Sequence, residues 1–242
     1  MIVGLASKYF VNNRIDLNLK TIYDTMKEAS DNRADAILFG EAFLQGFDAL
    51  KWDFSVDRNI ALSQENGTIK AIGNKAAELN IAIGFGYLEL AIDKIYSSFM
   101  FIDKTGKIIN NYRRISPGWK EPIASIEHYK EGEIFQTFSY MDKNFLVGLC
   151  GDFWYDENVR RANLLYNDVV LWPVYLNYTS DTWNNREKAD YAQRAKLLGK
   201  RVLLFNSLSV NPVALGGCCD FLNGSIIDEL PMQNDGILYV KI

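Results

Sequence analysis

Short apolar runs alternate with stripes of helical spacing along the whole chain, and this alternation is the strongest constraint on its fold. Met1–Leu5 reads as a strand; Leu19, Ile22, Tyr23, Met26 and Ala29 then recur every three or four residues, as one buried helix face requires. Ala36–Gly40 is a second apolar strand, and Ile69, Ile72, Ala76 and Leu79 mark a helix leading into the strand Ile81–Tyr87. Tyr96–Ile102 and the segment after Lys107 pair around the turn Asp103–Lys107. The pattern repeats through Phe145–Leu149, a helix carrying Val159, Ala162 and Leu165, Asp168–Trp172, a helix from about Asn185 to Leu198, and Arg201–Phe205. Gly236–Ile242 reads as a closing edge strand. Strands alternating with helices predict a layered α/β domain. No Pro-rich linker, repeat or low-complexity tract divides residues 1–242, so one domain is expected.

The residues able to carry chemistry fall where strands end. Cys150 follows Phe145–Leu149 and opens Gly151-Asp152-Phe153-Trp154, where backbone N–H groups of a turn and helix can point at a bound substrate. That is a place for a nucleophile, and the helix behind it is expected to lower the thiol pKa modestly. A thiol needs a base, because only the thiolate attacks well. The single histidine, His128, lies in the polar stretch Ile126–Gly132 and reads as a solvated loop residue. No Gly-x-Ser-x-Gly elbow supports a serine triad. Glu41 is the better base: it is the first charged group after the apolar run Ala36–Gly40, where desolvation suits a carboxylate to take a proton. The basic segment Asn111–Glu121 is the third piece, since a fixed cation beside a carboxylate and a thiol would stabilise an oxyanion.

In this order the three segments resemble the nitrilase superfamily of carbon-nitrogen hydrolases, whose active site is a glutamate, a lysine and a cysteine. Phe39-Gly40-Glu41 looks like the family's first glutamate motif, Tyr112-Arg113-Arg114 its Tyr-Arg-Lys motif and Cys150-Gly151-Asp152 its Cys-x-Asp motif. Glu157 with Arg160 and Arg161, then Val169–Pro173, Tyr191–Ala195 and Phe205-Asn206, resemble later landmarks. The resemblance implies a four-layer α-β-β-α sandwich and a homodimer. It also implies hydrolysis of a small amide or N-carbamoyl compound through a cysteine acyl-enzyme, with Glu41 as general base and no cofactor. Glu121 resembles the family's second, substrate-positioning glutamate. Trp154 and Tyr175 lie on segments that should border the pocket mouth. Gly151 offers an N–H to an oxyanion, and its missing side chain either widens the pocket or permits a tight turn.

One departure stands out: the position of the family lysine is Arg114. Arginine keeps the charge, but a pKa above about 12 bars it from carrying protons. Three outcomes follow. Arg114 replaces the lysine electrostatically, Lys120 brings its ammonium group into the pocket, or the chain is a catalytically silent nitrilase-like binding or regulatory protein.

Composition sets the outer bounds. A 242-residue chain with 48% hydrophobic residues can bury a sizeable core, and a net charge of -4 argues against a nucleic-acid surface. No apolar stretch reaches the roughly 18 residues a membrane helix needs, and Met1–Leu5 lacks a signal-peptide start, so a cytoplasmic protein is expected. Cys218 and Cys219 read as small packed residues rather than a redox pair. With one histidine and no Cys-x-x-Cys spacing, no metal site is expected.

Overall fold

The computed structural model describes residues 1–242. Its first half runs β1 (Ile2–Ser7), α1 (Ile15–Asp31), β2 (Ala36–Phe39), the single turn α2 (Phe54–Asp57), α3 (Gly67–Leu79), β3 (Ala82–Ala91), β4 (Lys94–Ile102) and β5 (Ile108–Arg113). The second half continues with β6 (Thr137–Tyr140), β7 (Lys143–Val147), a 3-10 turn over Cys150–Trp154, α4 (Asp156–Asn163) and β8 (Val169–Val174). Then α5 (Ser180–Thr182) passes through a π turn (Trp183–Glu187) into α6 (Lys188–Leu198), followed by β9 (Arg201–Asn206). The short hairpin β10 (Leu208–Val210) and β11 (Val213–Leu215) precedes β12 (Cys218–Leu222), β13 (Ser225–Leu230) and β14 (Gly236–Lys241).

Two six-stranded sheets result, in the orders β14-β1-β2-β3-β4-β5 and β13-β12-β9-β8-β7-β6. Each is parallel at its centre, through β1, β2 and β3 in one and β7, β8 and β9 in the other. Side-chain alternation explains why such strands read as unbroken apolar runs. In β2, Ala36 and Leu38 face the second sheet while Ile37 and Phe39 face helices. Ile22, Met26 and Ala29 of α1 and Ile69, Ile72 and Ala76 of α3 cover that outer face. Val159 and Ala162 of α4 and Tyr191, Ala195 and Leu198 of α6 pack on the second sheet. The layers are therefore helix, sheet, sheet, helix, as the resemblance implies.

Helix ends follow local chemistry. The Asn66 side chain accepts from Thr68 N–H to start α3, and Asn80 ends it in the left-handed region at φ 52°. The closing strand β14 is indeed an edge, antiparallel to β1. The last helical segment begins earlier than its periodicity predicts, at Ser180, and passes through the π turn before α6. Leu165 lies past the end of α4 but still packs on the core. Cys218 and Cys219 are free thiols, buried side by side on β12. No helix is long and apolar enough to cross a membrane, and no three His, Cys, Asp or Glu side chains gather to hold a metal.

Candidate active site

The sheets bring the ends of β2, β5 and β7 to one place. Past β7, Gly148 N–H still bonds to Leu171 O of β8 at 3.0 Å, but two residues on, Cys150 turns to φ 40°. A left-handed conformation is costly for a residue with a side chain, so neighbours must hold it. Trp172 Nε1 donates to Cys150 O at 2.8 Å, and Leu149 N–H donates to Asp152 Oδ2 at 2.8 Å. The sulfur faces the Tyr175 carbonyl at 4.0 Å. Burial and the neighbouring Glu41 carboxylate push the Cys150 thiol up to about 12, against the opposing pull of Arg114. This raise outweighs the modest lowering expected from a following helix. Cys150 opens a 3-10 turn, and α4 starts only at Asp156, with Asp156 and Glu157 in its first turn offsetting its dipole.

Glu41 is held at the end of β2 by bonds to both sheets. Its N–H reaches Val174 O of β8 at 3.2 Å, while Gly86 N–H of β3 reaches Gly40 O at 3.1 Å. Gly86 lies so close to Glu41 Cα that any side chain there would displace the carboxylate. The Glu41 side chain is fully buried. Its Oε1 accepts from Ser97 Oγ at 2.8 Å and from Arg114 Nη1 at 3.1 Å, whereas its Oε2 has no hydrogen-bond partner. One oxygen is anchored and the other is free for a proton. Arg114 is only 5% exposed. Burial opposes its charge, but Glu41, Cys150 and Asp152 outweigh burial and hold its pKa above the ordinary value, so it stays a cation.

Asp152 ties the arginine loop to the cysteine turn. Besides Leu149, its buried carboxylate accepts Tyr112 Oη at 2.6 Å, Ile115 N–H at 3.1 Å and Ser116 N–H at 2.7 Å. Ser116 Oγ in turn accepts Arg114 Nε at 3.0 Å.

The other residues singled out from sequence are placed differently. The Lys120 ammonium donates to Tyr129 O at 3.0 Å and pairs with Glu131 at 2.6 Å, while Arg114 is the cation bonded to Glu41. Glu121 is exposed; its charge adds to burial in raising Asp48, whose carboxylate accepts the Tyr175 hydroxyl at 3.3 Å. Tyr175 stacks on Phe47 with ring centres 4.6 Å apart, and exposed Trp154 meets Tyr191 edge-on at 4.9 Å. Gly151 lies against the Arg114 guanidinium. His128 stacks on Phe54 at 3.9 Å in the loop where it was expected. A polar cleft of about 480 Å³ opens on the side of Arg113 and Glu131; it contains neither Cys150 nor Glu41, and Glu89 takes up the Arg113 charge there at 2.8 Å.

Ser97, Ser116 and Glu187 were not singled out from sequence, whereas Tyr178 lies on a segment expected to border the pocket mouth. Ser97 had a signal: a hydroxyl pair, Ser97-Ser98, inside the apolar run Tyr96–Ile102 must find buried partners. Tyr178 is raised by burial, then by Glu187, and also by Cys150, which places both at the cysteine side of the site.

The sequence profile of the family described as carbon-nitrogen hydrolase matches residues 2–210. The chain belongs to that family. Among curated relatives, it is 22% identical to a cyanide hydratase of Botryotinia fuckeliana over 71% of this chain and 50% of the relative. It is 24% identical to an N-carbamoylputrescine amidase of Oryza sativa over 79% of this chain and 64% of the relative. The chain thus spans between half and two thirds of the length of these relatives. Its fold is similar to that of an amidase from Nesterenkonia sp., with TM-score 0.84, 19% identity, and coverage of 100% of this chain and 90% of the other. It is also similar to the glutamine-dependent NAD+ synthetase of Acinetobacter baumannii, with TM-score 0.81, 20% identity, and coverage of 98% and 44%.

Proposed function

We propose that the protein hydrolyses the carbon-nitrogen bond of a small amide or N-carbamoyl compound through a thioester on Cys150. One observation carries this reading: Glu41 has one oxygen fixed by Arg114 and Ser97 and the other buried without a partner, beside a sulfur whose pKa it raises. The resting thiol is protonated. As substrate arrives, Glu41 takes the proton, sulfur bonds to the carbonyl carbon, and negative charge develops on oxygen beside the Arg114 guanidinium and the Gly151 N–H. Collapse breaks the carbon-nitrogen bond while Glu41 returns its proton to the departing ammonia or amine. A water molecule then gives its proton to Glu41 and attacks the thioester; collapse breaks the carbon-sulfur bond, releasing the acid, and Glu41 returns the proton to the sulfur. Arg114 acts by charge alone, so Glu41 is the only proton carrier in this scheme.

The relatives named as amidases support the amide reading, while the cyanide hydratase among the relatives is named for the nitrile alternative. In a glutamate-to-glutamine mutant of the Nesterenkonia amidase, acrylamide adds to the active-site cysteine. The test is ammonia release from a panel of short amides and N-carbamoyl amines, with mass spectrometry of the chain after acrylamide treatment. Turnover together with selective adduct formation at Cys150 is the expected result. No ammonia from any substrate, with Cys150 no more reactive than Cys218 or Cys219, overturns the proposal. That outcome favours a binding protein, the reading for which a guanidinium unable to relay protons is the supporting observation.

A further inference from the structure

We infer that Arg114 and Gly151 are a matched pair: the absent side chain at residue 151 provides the space a guanidinium needs in the cation position, which makes Gly151 a positioning residue for the oxyanion. The inference rests on the reading of Cys150 as nucleophile. A Cβ at residue 151 would stand 2.5 Å from Arg114 Nη2, 3.4 Å from Cζ and 3.0 Å from Ser116 Oγ. Of the two reasons for a glycine here, a tight turn or room, only room applies. Gly151 is not at positive φ; the left-handed residue is Cys150.

The guanidinium has no easy retreat. Nη1 is held by Glu41 at 3.1 Å and Nε by Ser116 at 3.0 Å, inside a buried shell. Nη2 makes only a 3.4 Å contact with Pro117 O, so its donor capacity is largely unspent beside the turn that holds the sulfur. A lysine carries a single terminal nitrogen and needs no volume where Nη2 sits. A side chain at residue 151 and an arginine at residue 114 therefore exclude each other, whereas a side chain and a lysine do not.

Four proteins test this: wild type, Gly151→Ala, Arg114→Lys and the double variant. Two rates are measured on each, ammonia release and alkylation of Cys150 by iodoacetamide at fixed pH. Gly151→Ala is expected to lower kcat about a hundredfold, the loss typical of a misplaced oxyanion donor. KM should change by no more than about threefold, as fits an interaction made in the transition state. Alkylation should slow about tenfold, as when a thiol loses a favourable cation. Adding Arg114→Lys to Gly151→Ala should recover at least about tenfold in both rates, a departure from additivity that a merely structural lesion does not produce. Equal losses from Gly151→Ala in the arginine and lysine backgrounds overturn the pairing, as does a harmless Gly151→Ala. If Gly151→Ala fails to fold, a folded double variant supports the pairing and an unfolded one overturns it. Should wild type release no ammonia at all, the hydrolase reading falls while the alkylation cycle still decides the pairing.

Discussion

Tyr112 donates its hydroxyl to Asp152 Oδ2 at 2.6 Å, fastening β5 to the turn that carries Cys150. Both groups are buried, and burial followed by the Asp152 charge pushes the Tyr112 phenol well above its ordinary range, so it stays a donor. The same carboxylate takes three backbone N–H groups, from Leu149, Ile115 and Ser116. Cys150 and Arg114 thus share one anchor that belongs to neither.

Asp152→Ala leaves those donors unsatisfied in the interior, and each unsatisfied buried group costs about 1–3 kcal/mol. Urea unfolding is expected to show a loss of about 3 kcal/mol or more. Tyr112→Phe removes one bond and should cost about 1 kcal/mol. Equal, small losses from both variants would contradict a central role for Asp152.

Glu41→Gln keeps the shape but removes the proposed base. The kcat for amide hydrolysis should fall about a thousandfold, within the range typical for a positioned general base. The variant also leaves Arg114 without its charge partner, so rates belong well below the lowered unfolding temperature. Turnover within about tenfold of wild type would transfer the proton to another group.

The two candidate cations separate cleanly. Arg114→Gln should reduce kcat about a hundredfold or more, as for loss of an oxyanion partner. Lys120→Gln breaks its links to Tyr129 and Glu131 and should act on loop stability, leaving kcat within about threefold of wild type. The reverse ranking would mean that Lys120 moves inward on binding substrate.

Three thiols should make the protein sensitive to alkali. Burial first raises Cys150, Cys218 and Cys219 above an ordinary value of 9, to about 12 for Cys150 and Cys219. A raised thiol pKa means the folded state holds its proton longer than the unfolded chain. Stability is therefore fully present below pH 9 and declines as pH rises toward 12, by up to about 1.4 kcal/mol per pH unit for each thiol. Unfolding measured across this range should show the decline, and Cys219→Ala should make it shallower. An unchanged slope in that variant would remove the thiols as its cause.

Much of this arrangement can be read along the chain, and the missing parts have physical reasons. Glu41 and Cys150 are visible because an apolar strand stops and a polar atom follows. The partners of Asp152 are not, since Tyr112, Ile115 and Ser116 lie 36 to 40 positions away and only the packed sheets bring them close. The choice between Arg114 and Lys120 turns on how the loop after β5 is pinned by Ser116, which no spacing rule encodes. β12 goes unseen because Gly216-Gly217 precedes it and Asp220 sits within it; that aspartate is tolerated because Arg201 on the adjoining β9 meets it at 2.9 Å. β6 does carry the alternation of a half-buried strand, in Thr137-Phe-Ser-Tyr140, but four residues are too few to stand out.

A sulfur kept protonated between turnovers is a poor target for peroxide, which oxidises thiolates. In the proposed mechanism reactivity at Cys150 comes only with the acceptor whose arrival moves the thiol proton onto Glu41, so the burial that slows this first step would also shield the sulfur from stray oxidants.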